Sequence, residues 1–463
     1  MPINSFLYPG AKVVTGYDVD NSLRFNRGSS DSLQRTPSGA GNRRTFTFSC
    51  WVKKGTNSAG EAMELFDSPT YSGNTNRDGL RFETANHLRF FINNAASGDF
   101  ATNRLFRDLS AWYHIVLSVD TTQATASNRV KIYVNGVQET SFSTETQPSQ
   151  NYDFQFNTTG IHSIGFFQDD GGELFSGYMS EVVFIDGTQL DATSFGEFDE
   201  DTGIWKPIDV SGLTFGTNGF YLDFKDSSAL GNDVSGNDND FTVNNLTSID
   251  QTTDTCTNNY CTLNPLEPHT NRNIFSEGNI VASGQAGAWQ LARGTIGLTQ
   301  GKWYWEVFFS GGTVGNYHAG VQVASATTYS SLHSQAGTTT FYNGDGGEIF
   351  TGSSGAFTTN DYGTMNGSSD ILGVALNMDD KQISFYKNGS AIVSNYSLDT
   401  PNDTMMPLLV QYGSSQVSKI NFGGTQHTAI SSGNSDANGY GNFEYSVPSG
   451  YYALNTKNLA EYG

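Results

Sequence analysis

Three carboxylates, Glu197, Asp199 and Asp201, occupy every second position of one short stretch. On a β-strand this spacing places all three side chains on one face, because side chains alternate between the two faces. Two carboxyl groups in one cleft, one as acid and the other as base or nucleophile, are the groups that hydrolyse glycosidic bonds. Polysaccharide cleavage is therefore the first activity that these residues suggest.

The residues around these carboxylates favour a different interpretation. Residues 190–207 predict a short helix, with Asp191 or Thr193 as its N-cap and Phe195 and Phe198 on one face. Two glycines bracket the acidic residues. We therefore interpret the carboxylates as part of a solvated turn and predict no catalytic residue here.

The loop at residues 341–362 is a stronger candidate for binding. It offers Tyr342, Asn343, Asp345 and Tyr362 among glycines, a mixture of flat rings and polar groups able to hold a glycan. The alternative is an ordinary long hairpin loop. A second candidate loop is QDDGGE, residues 168–173.

Residues 226–245 are rich in Asp, Asn and Gly, whose oxygens can coordinate Ca²⁺. Their spacing does not fit a calcium-binding EF-hand loop, and Asx-turns explain the composition as well. We favour turns and predict no cofactor and no metal site, with Ca²⁺ binding as the alternative.

Motifs for other chemistry are absent from the sequence: there is no Gly-x-Ser-x-Gly, His-Glu-x-x-His, Cys-x-x-Cys or phosphate loop. His114 lies within a predicted strand and His318 beside one, where a hydrogen-bonded structural role is expected. Trp303 and Trp305 lie in an apolar strand, so we assign them to a core rather than to a sugar site.

The composition predicts all-β structure. The 463 residues include Gly 52, Tyr 22 and Phe 32 with only 15% charged residues, which describes short strands and many turns. The net charge of -22 argues against a nucleic-acid partner, because such binding requires clusters of Lys and Arg. No run of apolar residues is long enough to enter a membrane.

Two hairpins organise the chain. The stretch DILGVALNMDDKQISFYKNG, residues 370–389, reads as two strands ending in Asn388-Gly389, which suits a type I′ turn. The strands at residues 112–120 and 130–136 end in Asn-Gly in the same way. Each hairpin needs an opposing sheet to cover its apolar face. We therefore predict two antiparallel β-sandwiches of similar build.

The expected cores follow from the alternation along the strands. Cys50 is assigned to the first core, while Cys256 and Cys261 are close enough in sequence that pairing stays open. The first core is predicted to contain Phe48, Ile115, Leu117, Ile132 and Val183, and the second Trp305, Val374, Leu376 and Phe385.

The motifs FTFSCWVKK, WYHIVLSVD with VKIYVNGV, and LFSGYMSEVVFIDG resemble laminin-G-like, concanavalin-A-like domains. GKWYWEVFF, HAGVQVA, DILGVALNMDD, KQISFYKNG and VSKINFG resemble a SPRY domain. The resemblance implies two concanavalin-like jelly-roll sandwiches, the second a module that displays loops to a partner. The resulting boundaries are an N-terminal attachment segment (1–17), a laminin-G-like sandwich (18–230), a loop-rich linker (231–272), a SPRY-like sandwich (273–425) and a C-terminal tail (426–463).

This combination, with TSFGEFDEDTGIWKP, GTNGFYLDF, TNNYCTLNPL and a closing NTKNL, resembles tail-fibre-like or appendage virion proteins of tailed bacteriophages. The resemblance implies a non-enzymatic structural virion protein, assembled in the host cytoplasm, that adsorbs to host surface polysaccharide or decorates the capsid. Its partners would be other virion proteins and further copies of itself. A glycoside hydrolase or lyase on the same fold is the alternative.

The apolar residues Phe6, Leu7 and Tyr8 are predicted to attach the protein to a neighbouring subunit. Deleting residues 2–12 should leave the fold intact and lower incorporation into particles, measured by quantitative mass spectrometry of purified virions. Unchanged incorporation would instead assign the segment to docking on its own domain.

Overall fold

The hairpin predicted at residues 370–389 is present in the computed structural model of the protein. Asn388 and Gly389 have φ angles of 50° and 76°, and Asn135 and Gly136 repeat them with 48° and 79°. These are the paired positive angles of a type I′ turn. The structure describes residues 16–57, 62–68, 76–167, 173–266, 273–285, 287, 289–310, 317–326, 338–351, 356–358, 360–367, 369–398 and 402–463.

The first half of the chain supplies the strands of one sandwich and of a small separate hairpin. They are β1 (Ser22–Phe25), β2 (Ser32–Arg35), β3 (Thr45–Lys54), β4 (Met63–Asp67), β5 (Gly79–Phe82), β6 (His87–Ile92), β7 (Gly98–Leu105), β8 (Trp112–Asp120), β9 (Val130–Val134), β10 (Val137–Gln138), β11 (Phe142–Thr146), β12 (His162–Ile164), β13 (Gly177–Asp186), β14 (Gly196–Phe198), β15 (Trp205–Pro207), β16 (Phe220–Leu222), β17 (Thr242–Asn244) and β18 (Gln251–Thr252). Short 3-10 turns lie at Arg27–Ser29, Ala126–Asn128, Ala192–Ser194 and Ser248–Asp250.

Two antiparallel sheets form the first sandwich. One has the order β10-β9-β8-β3-β13-β1-β18, with β16 also paired to β13. The other has the order β11-β7-β6-β5-β4-β12-β2-β17. Their inner faces meet in an aromatic core, where Phe48 of one sheet stacks on Phe66 of the other at 4.7 Å between ring centroids.

The predicted first core is confirmed for Phe48, Ile115, Leu117 and Ile132, and also for Cys50. Val183 was assigned to this core wrongly.

A β-bulge in β13 changes which residues face inward. The pairing of β13 with β3 shifts between Ser180 and Val183, and Glu181 has a φ of 51°. Met179 and Val182 both face the core as a result, and Val183 packs on the opposite face. A bulge inserts one residue and reverses the alternation beyond it, which the sequence pattern did not show.

The second half of the chain supplies the other sandwich. Its strands are β19 (Ile274–Ser276), β20 (Val281–Ser283), β21 (Trp289–Arg293), β22 (Lys302–Ser310), β23 (Tyr317–Val323), β24 (Thr339–Asn343), β25 (Ile349–Thr351), β26 (Ala356–Phe357), β27 (Ile371–Asn377), β28 (Gln382–Lys387), β29 (Ser390–Ser397), β30 (Met405–Tyr412), β31 (Val417–Asn421) and β32 (Tyr452–Ala453). A 3-10 turn lies at Glu277–Asn279 and helix α1 at Thr456–Tyr462.

The second sandwich also pairs two antiparallel sheets. One has the order β19-β20-β31-β22-β27-β28-β29, and the other β21-β30-β23-β24-β25-β26. Trp305, Val374, Leu376 and Phe385 lie in its core as predicted, and Trp303 joins them. Neither tryptophan of β22 is at the surface.

The C-terminal tail, residues 426–463, lies on the outer face of this sandwich. β32 pairs in parallel with β22, and Phe443 and Ala453 pack against Tyr304 and Ala375. The strand at residues 372–376 is therefore covered on both faces, as its continuous apolar run predicts.

The predicted linker is part of the packed structure over much of its length. β17 pairs with β2, and Phe241 and Leu246 belong to the first core. Aspartate side chains form turns in the adjoining stretch: Asp226 Oδ1 accepts a hydrogen bond from the backbone N–H of Ser228 at 2.9 Å, and Asp233 Oδ1 accepts one from that of Ser235 at 2.9 Å. This confirms the turn interpretation of the Asp- and Asn-rich stretch.

Buried charges join the two sandwiches. Lys53 on β3 donates to Asp254 Oδ2 at 2.8 Å, to Asn259 Oδ1 at 2.7 Å and to the carbonyl of Tyr260 at 3.3 Å. Lys53 and Asp254 are 1% and 0% exposed, so each charge depends on the other for compensation. Trp112 Nε1 also donates to Asp254 Oδ1 at 3.2 Å.

A second group of contacts reinforces this junction. Arg24 on β1 pairs with Asp250 at 2.7 Å and with Glu277 at 2.9 Å, and it donates to the carbonyl of Gln426. The hydroxyl of Tyr178 donates to the carbonyl of Gly278 at 2.7 Å. Side chains of the first sandwich thus bind backbone and side chains of the second directly.

The prediction of a helix within residues 190–207 is wrong. Asp191 caps a 3-10 turn, accepting from the backbone N–H of Thr193 at 3.0 Å, and the chain then forms the β14–β15 hairpin. Phe198 lies opposite Trp205 in the hairpin, and the indole N–H of Trp205 donates a hydrogen bond to His114 Nδ1. These cross-strand and tertiary contacts outweigh the local helix preference.

The three cysteines are free. Cys261 lies in the second core, where its Sγ accepts from Thr295 Oγ1 at 3.7 Å, and Cys256 packs separately against the outer face of the first sandwich. Cys256 and Cys261 therefore do not form a disulfide bond in this structure.

Leu376→Ala and Phe385→Ala should each lower the free energy of unfolding by about 2 to 5 kcal/mol, because both side chains are fully buried and truncation leaves a cavity. Val137→Ala, at a side chain that is 53% exposed, is the control and should change stability by less than about 0.5 kcal/mol. Chemical denaturation measures all three. Native-like stability of both core variants would contradict the assigned packing.

Candidate functional site

A cavity of about 320 Å³ lies between the second sandwich and the C-terminal tail. Strands β22, β27 and β31 form one wall, and residues 427–431 with Glu444 and Tyr445 form the other. Small-molecule sites start at about 300 Å³. We refer to it as the tail cavity.

The alternation of β22 supplies the floor of the tail cavity. Trp305 and Val307 face the core, so Glu306 and Phe308 between and beyond them face outward. Asn421 of β31 lies opposite Glu306 in the sheet, and Ile371 of β27 lies opposite Phe308. Neighbouring strands therefore bring an amide, a carboxyl and two apolar side chains together.

Glu306 attaches the tail to the sheet. The backbone N–H of Glu444 donates to its Oε2 at 2.9 Å, and that of Tyr445 donates to its Oε1 at 2.9 Å. The hydroxyl of Tyr304 donates to Oε1 at 3.3 Å. Burial raises the pKa of Glu306 to about 7, although these donors act in the opposite direction.

Rings and hydroxyl groups complete the lining. The rings of Phe308 and His427 lie 5.7 Å apart, and His427 Nδ1 and Thr428 Oγ1 are 3.0 Å apart. Burial lowers the pKa of His427 to about 3, so the imidazole is neutral near pH 7. Glu444 Oε2 accepts from the backbone N–H of Ser431 at 2.7 Å. Aromatic faces beside hydrogen-bonding groups suit a polar ring such as a sugar.

The four residues predicted to bind a glycan do not converge on one surface. Tyr342 is buried, its ring 5.5 Å from that of Phe385, and its hydroxyl donates to the carbonyl of Gly363. Asn343 is buried too, and its Nδ2 donates to Glu348 Oε2 at 2.8 Å. Both side chains shape the β24–β25 hairpin and are unavailable to a ligand.

The other two predicted residues are accessible. Asp345 is exposed, and Tyr362 is half-buried with its hydroxyl accepting from Asn360 Nδ2 at 3.0 Å. A glycan contact at this loop stays a prediction that rests on these two groups. The predicted attachment residues Phe6, Leu7 and Tyr8 lie outside the described residues.

The second candidate loop lies mostly outside the described residues as well. Its last residue, Glu173, belongs to a charge network on the first sandwich, where it pairs with Arg77 at 3.0 Å and also with Arg81. Arg77 also pairs with Glu64 and with Asp67. Burial raises the pKa of Asp67 to about 7.

The alternating carboxylates of the β14–β15 hairpin are not arranged as a catalytic pair. Lys206 Nζ lies 3.3 Å from Glu197 Oε1 and 3.2 Å from Asp199 Oδ2. Hydrogen bonds from the backbone N–H and hydroxyl of Thr202 lower the pKa of Asp199 to about 2. A general acid for glycoside cleavage needs a raised pKa instead.

A serine and a histidine meet beneath this hairpin, which the sequence analysis did not anticipate. Ser49 Oγ lies 2.8 Å from His114 Nε2. Trp205 Nε1 donates to His114 Nδ1 at 3.0 Å, where a catalytic triad has a carboxylate, and burial lowers the His114 pKa to about 3. The pair is a packing contact, which confirms the structural role predicted for His114.

Within the part of the chain that the structure describes, no group of three or more His, Cys, Asp or Glu side chains is placed to hold a metal ion. Among the same residues, no helix is long and apolar enough to cross a membrane.

Two family models match the chain. Residues 27–192 match the concanavalin A-like lectin/glucanases superfamily in its laminin G form, and residues 302–425 match the SPRY domain. The protein therefore contains one domain of each kind, both with a concanavalin-like jelly-roll fold. This confirms the predicted all-β class and the two predicted domain types.

Solved structures are also similar to parts of the chain. The SPRY domain of human HERC1 is 17% identical with a TM-score of 0.30, over 36% of this chain and 99% of that chain. The native heptameric SAP-like pentraxin from Limulus polyphemus is 16% identical with a TM-score of 0.28, over 38% of this chain and 80% of that chain. The comparison with curated proteins gave no match.

The pKa of Glu306 predicts a pH dependence of stability. Because the folded state raises this pKa from 4.5 to about 7, folding holds the proton more tightly, and stability falls as the pH rises between these values. Glu306→Gln should remove the contribution of this residue to the change of unfolding free energy with pH, which is at most about 1.4 kcal/mol per pH unit. Urea denaturation from pH 5 to pH 8 measures it.

The matched control for this prediction is Glu200→Gln on the exposed β14–β15 turn, which should show the same change of unfolding free energy with pH as the wild type. Other buried carboxyl groups contribute equally to all three proteins and cancel in the comparison. Equal slopes for Glu306→Gln and the wild type would contradict the raised pKa.

Proposed function

We propose that the protein is a non-enzymatic virion component of a tailed phage, a tail-fibre-like or capsid-decorating appendage that binds host surface glycans. Each copy binds weakly, and repetition on the particle supplies the strength. The tail cavity is the observation that carries the binding part of this proposal.

The chemistry of the tail cavity supports a sugar ligand. Phe308, His427 and Tyr445 supply rings, while Ser431 and Glu444 supply a hydroxyl and a carboxylate. A sugar ring has one apolar face and several hydroxyl groups, so it matches a lining that is mixed in the same way. The match of the first domain to a superfamily that includes lectins is consistent with this class of ligand.

The combination of segments supports the particle role. The motifs that resemble phage appendage proteins include TSFGEFDEDTGIWKP, the β14–β15 hairpin, which leaves Phe198 and Ile204 49% and 65% exposed. Exposed apolar side chains on an ordered hairpin are suited to contact with a neighbouring protein. Such a contact would add to the attachment predicted for the N-terminal segment.

Polysaccharide cleavage is the second candidate, and Glu306 is the observation in its favour. A carboxyl group with a pKa of about 7, beside Glu444 in one cavity, has the protonation that a general acid requires. Backbone N–H groups already occupy both oxygens of Glu306, which fits a structural role better. Release of reducing ends from host polysaccharide, lost in Glu306→Gln, would establish cleavage.

The particle role is tested by locating the protein. Antibody labelling of intact virions in negative-stain electron microscopy should show it on the tail or on the capsid. The control is a particle that lacks the gene. Absence of the protein from purified virions would rule out the structural role.

The proposed glycan binding predicts that the apparent affinity increases with the number of linked copies. An isolated protein should bind host polysaccharide near the millimolar range, about 4 kcal/mol, and multivalent display should raise the apparent affinity by roughly 10² to 10⁴. Surface plasmon resonance with monomer and with bead-bound protein, with and without Ca²⁺, measures both. Nanomolar binding by the monomer would contradict the proposal that each site binds weakly. If neither the monomer nor the bead-bound protein binds, decoration of the capsid would be the remaining role.

A further inference from the structure

We propose that the β14–β15 hairpin docks on a different protein of the particle, one that presents Lys or Arg side chains around an apolar recess. This inference rests on the proposed particle role and names the chemistry of the partner. It follows from the exposed apolar residues of the hairpin and from the charge around them.

Two apolar side chains of the hairpin are exposed together. Ile204 is 65% exposed, the highest value among the large apolar residues that the structure describes, and Phe198 is 49% exposed. Other exposed apolar residues, such as Leu105 and Ile274, lie singly on separate strands. Two in one short hairpin indicate an interaction surface more specifically than scattered residues do.

The hairpin has a defined position on the first sandwich. The indole N–H of Trp205 donates to His114 Nδ1 at 3.0 Å, and Trp205 is 7% exposed. The backbone of Gly136 lies against the Trp205 ring so closely that a Cβ there would be 2.2 Å from a ring atom. Among the described strands, β14 and β15 pair only with each other. A partner therefore meets a preformed surface that belongs to neither large sheet.

The charge of the hairpin selects the kind of partner. The hairpin carries four carboxylates and one lysine. Lys206 already lies 3.3 Å from Glu197 and 3.2 Å from Asp199. Glu200 and Asp201 at the turn are exposed, and neither forms an ion pair with a described residue. These two carboxylates are available to Lys or Arg of a partner, which complementary charge brings to the right place.

A second copy of the chain fits this surface poorly. The protein has 46 acidic and 24 basic residues and a net charge of -22, so two copies repel each other. Docking of one hairpin on another would also bring like charges together at the two turns, which costs free energy. The partner is therefore a different protein with a basic contact surface.

The test measures reattachment of the full-length protein to purified particles that lack it. Co-sedimentation at pH 7 gives the affinity, which should fall as NaCl is raised from about 50 mM to about 500 mM, because salt screens the attraction between charges. Ile204→Ser should lower the affinity about tenfold, since it removes an apolar contact. The matched control is Ile274→Ser, at an isoleucine that is 57% exposed on the second sandwich, and it should bind as the wild type does.

A double variant tests the charge. Glu200→Gln combined with Asp201→Asn should weaken binding at low salt and reduce its dependence on salt. Asp238→Asn combined with Asp403→Asn removes two charges from exposed positions elsewhere and should keep both the affinity and the salt dependence. Circular dichroism spectra and melting temperatures confirm that each variant is folded before binding is compared.

The outcomes separate this inference from the particle role. Wild-type affinity of Ile204→Ser or of the hairpin double variant would overturn the inference and leave the particle role standing. Self-association in sedimentation velocity that is lost in Ile204→Ser and kept in Ile274→Ser would also overturn it, because the partner would then be a second copy. Failure of the wild-type protein to bind the particles would overturn the particle role together with this inference.

Discussion

The compensation of Asp254 is the constraint on which the arrangement of the two sandwiches depends. This carboxylate is fully buried and accepts from Lys53, from the indole of Trp112 and from the backbone N–H of Tyr260. Removal of any donor would leave charge in a medium that solvates it poorly. The segment that carries Asp254 is therefore held between the sandwiches in one conformation.

The parts of the fold that depend on local pattern were predictable. The alternation along β3, β8 and β28 and the two Asn-Gly turns indicated hairpins, and hairpins require sandwiches. The bulge at Glu181 and the β14–β15 hairpin were not predictable, because contacts with distant residues decide them. The packing of the predicted linker was not predictable for the same reason, because its polar turns are held by a few buried apolar residues.

The tail cavity was beyond the sequence analysis because its walls are far apart in the chain. Glu306 and Glu444 are separated by 138 residues, and only the fold brings them together. One signal was present in the sequence: Glu306 is a charged residue within a strand whose neighbours are nearly all apolar. The loop at residues 341–362 was favoured for its composition, which could not reveal that Tyr342 lies in the core.

The junction between the sandwiches has a mechanical consequence. When a force pulls the two sandwiches apart, the load passes through these side-chain contacts. Lys53, Arg24 and Tyr178 attach to three separate points of the chain, so their contacts share the load and must break together. These contacts therefore resist separation of the two sandwiches.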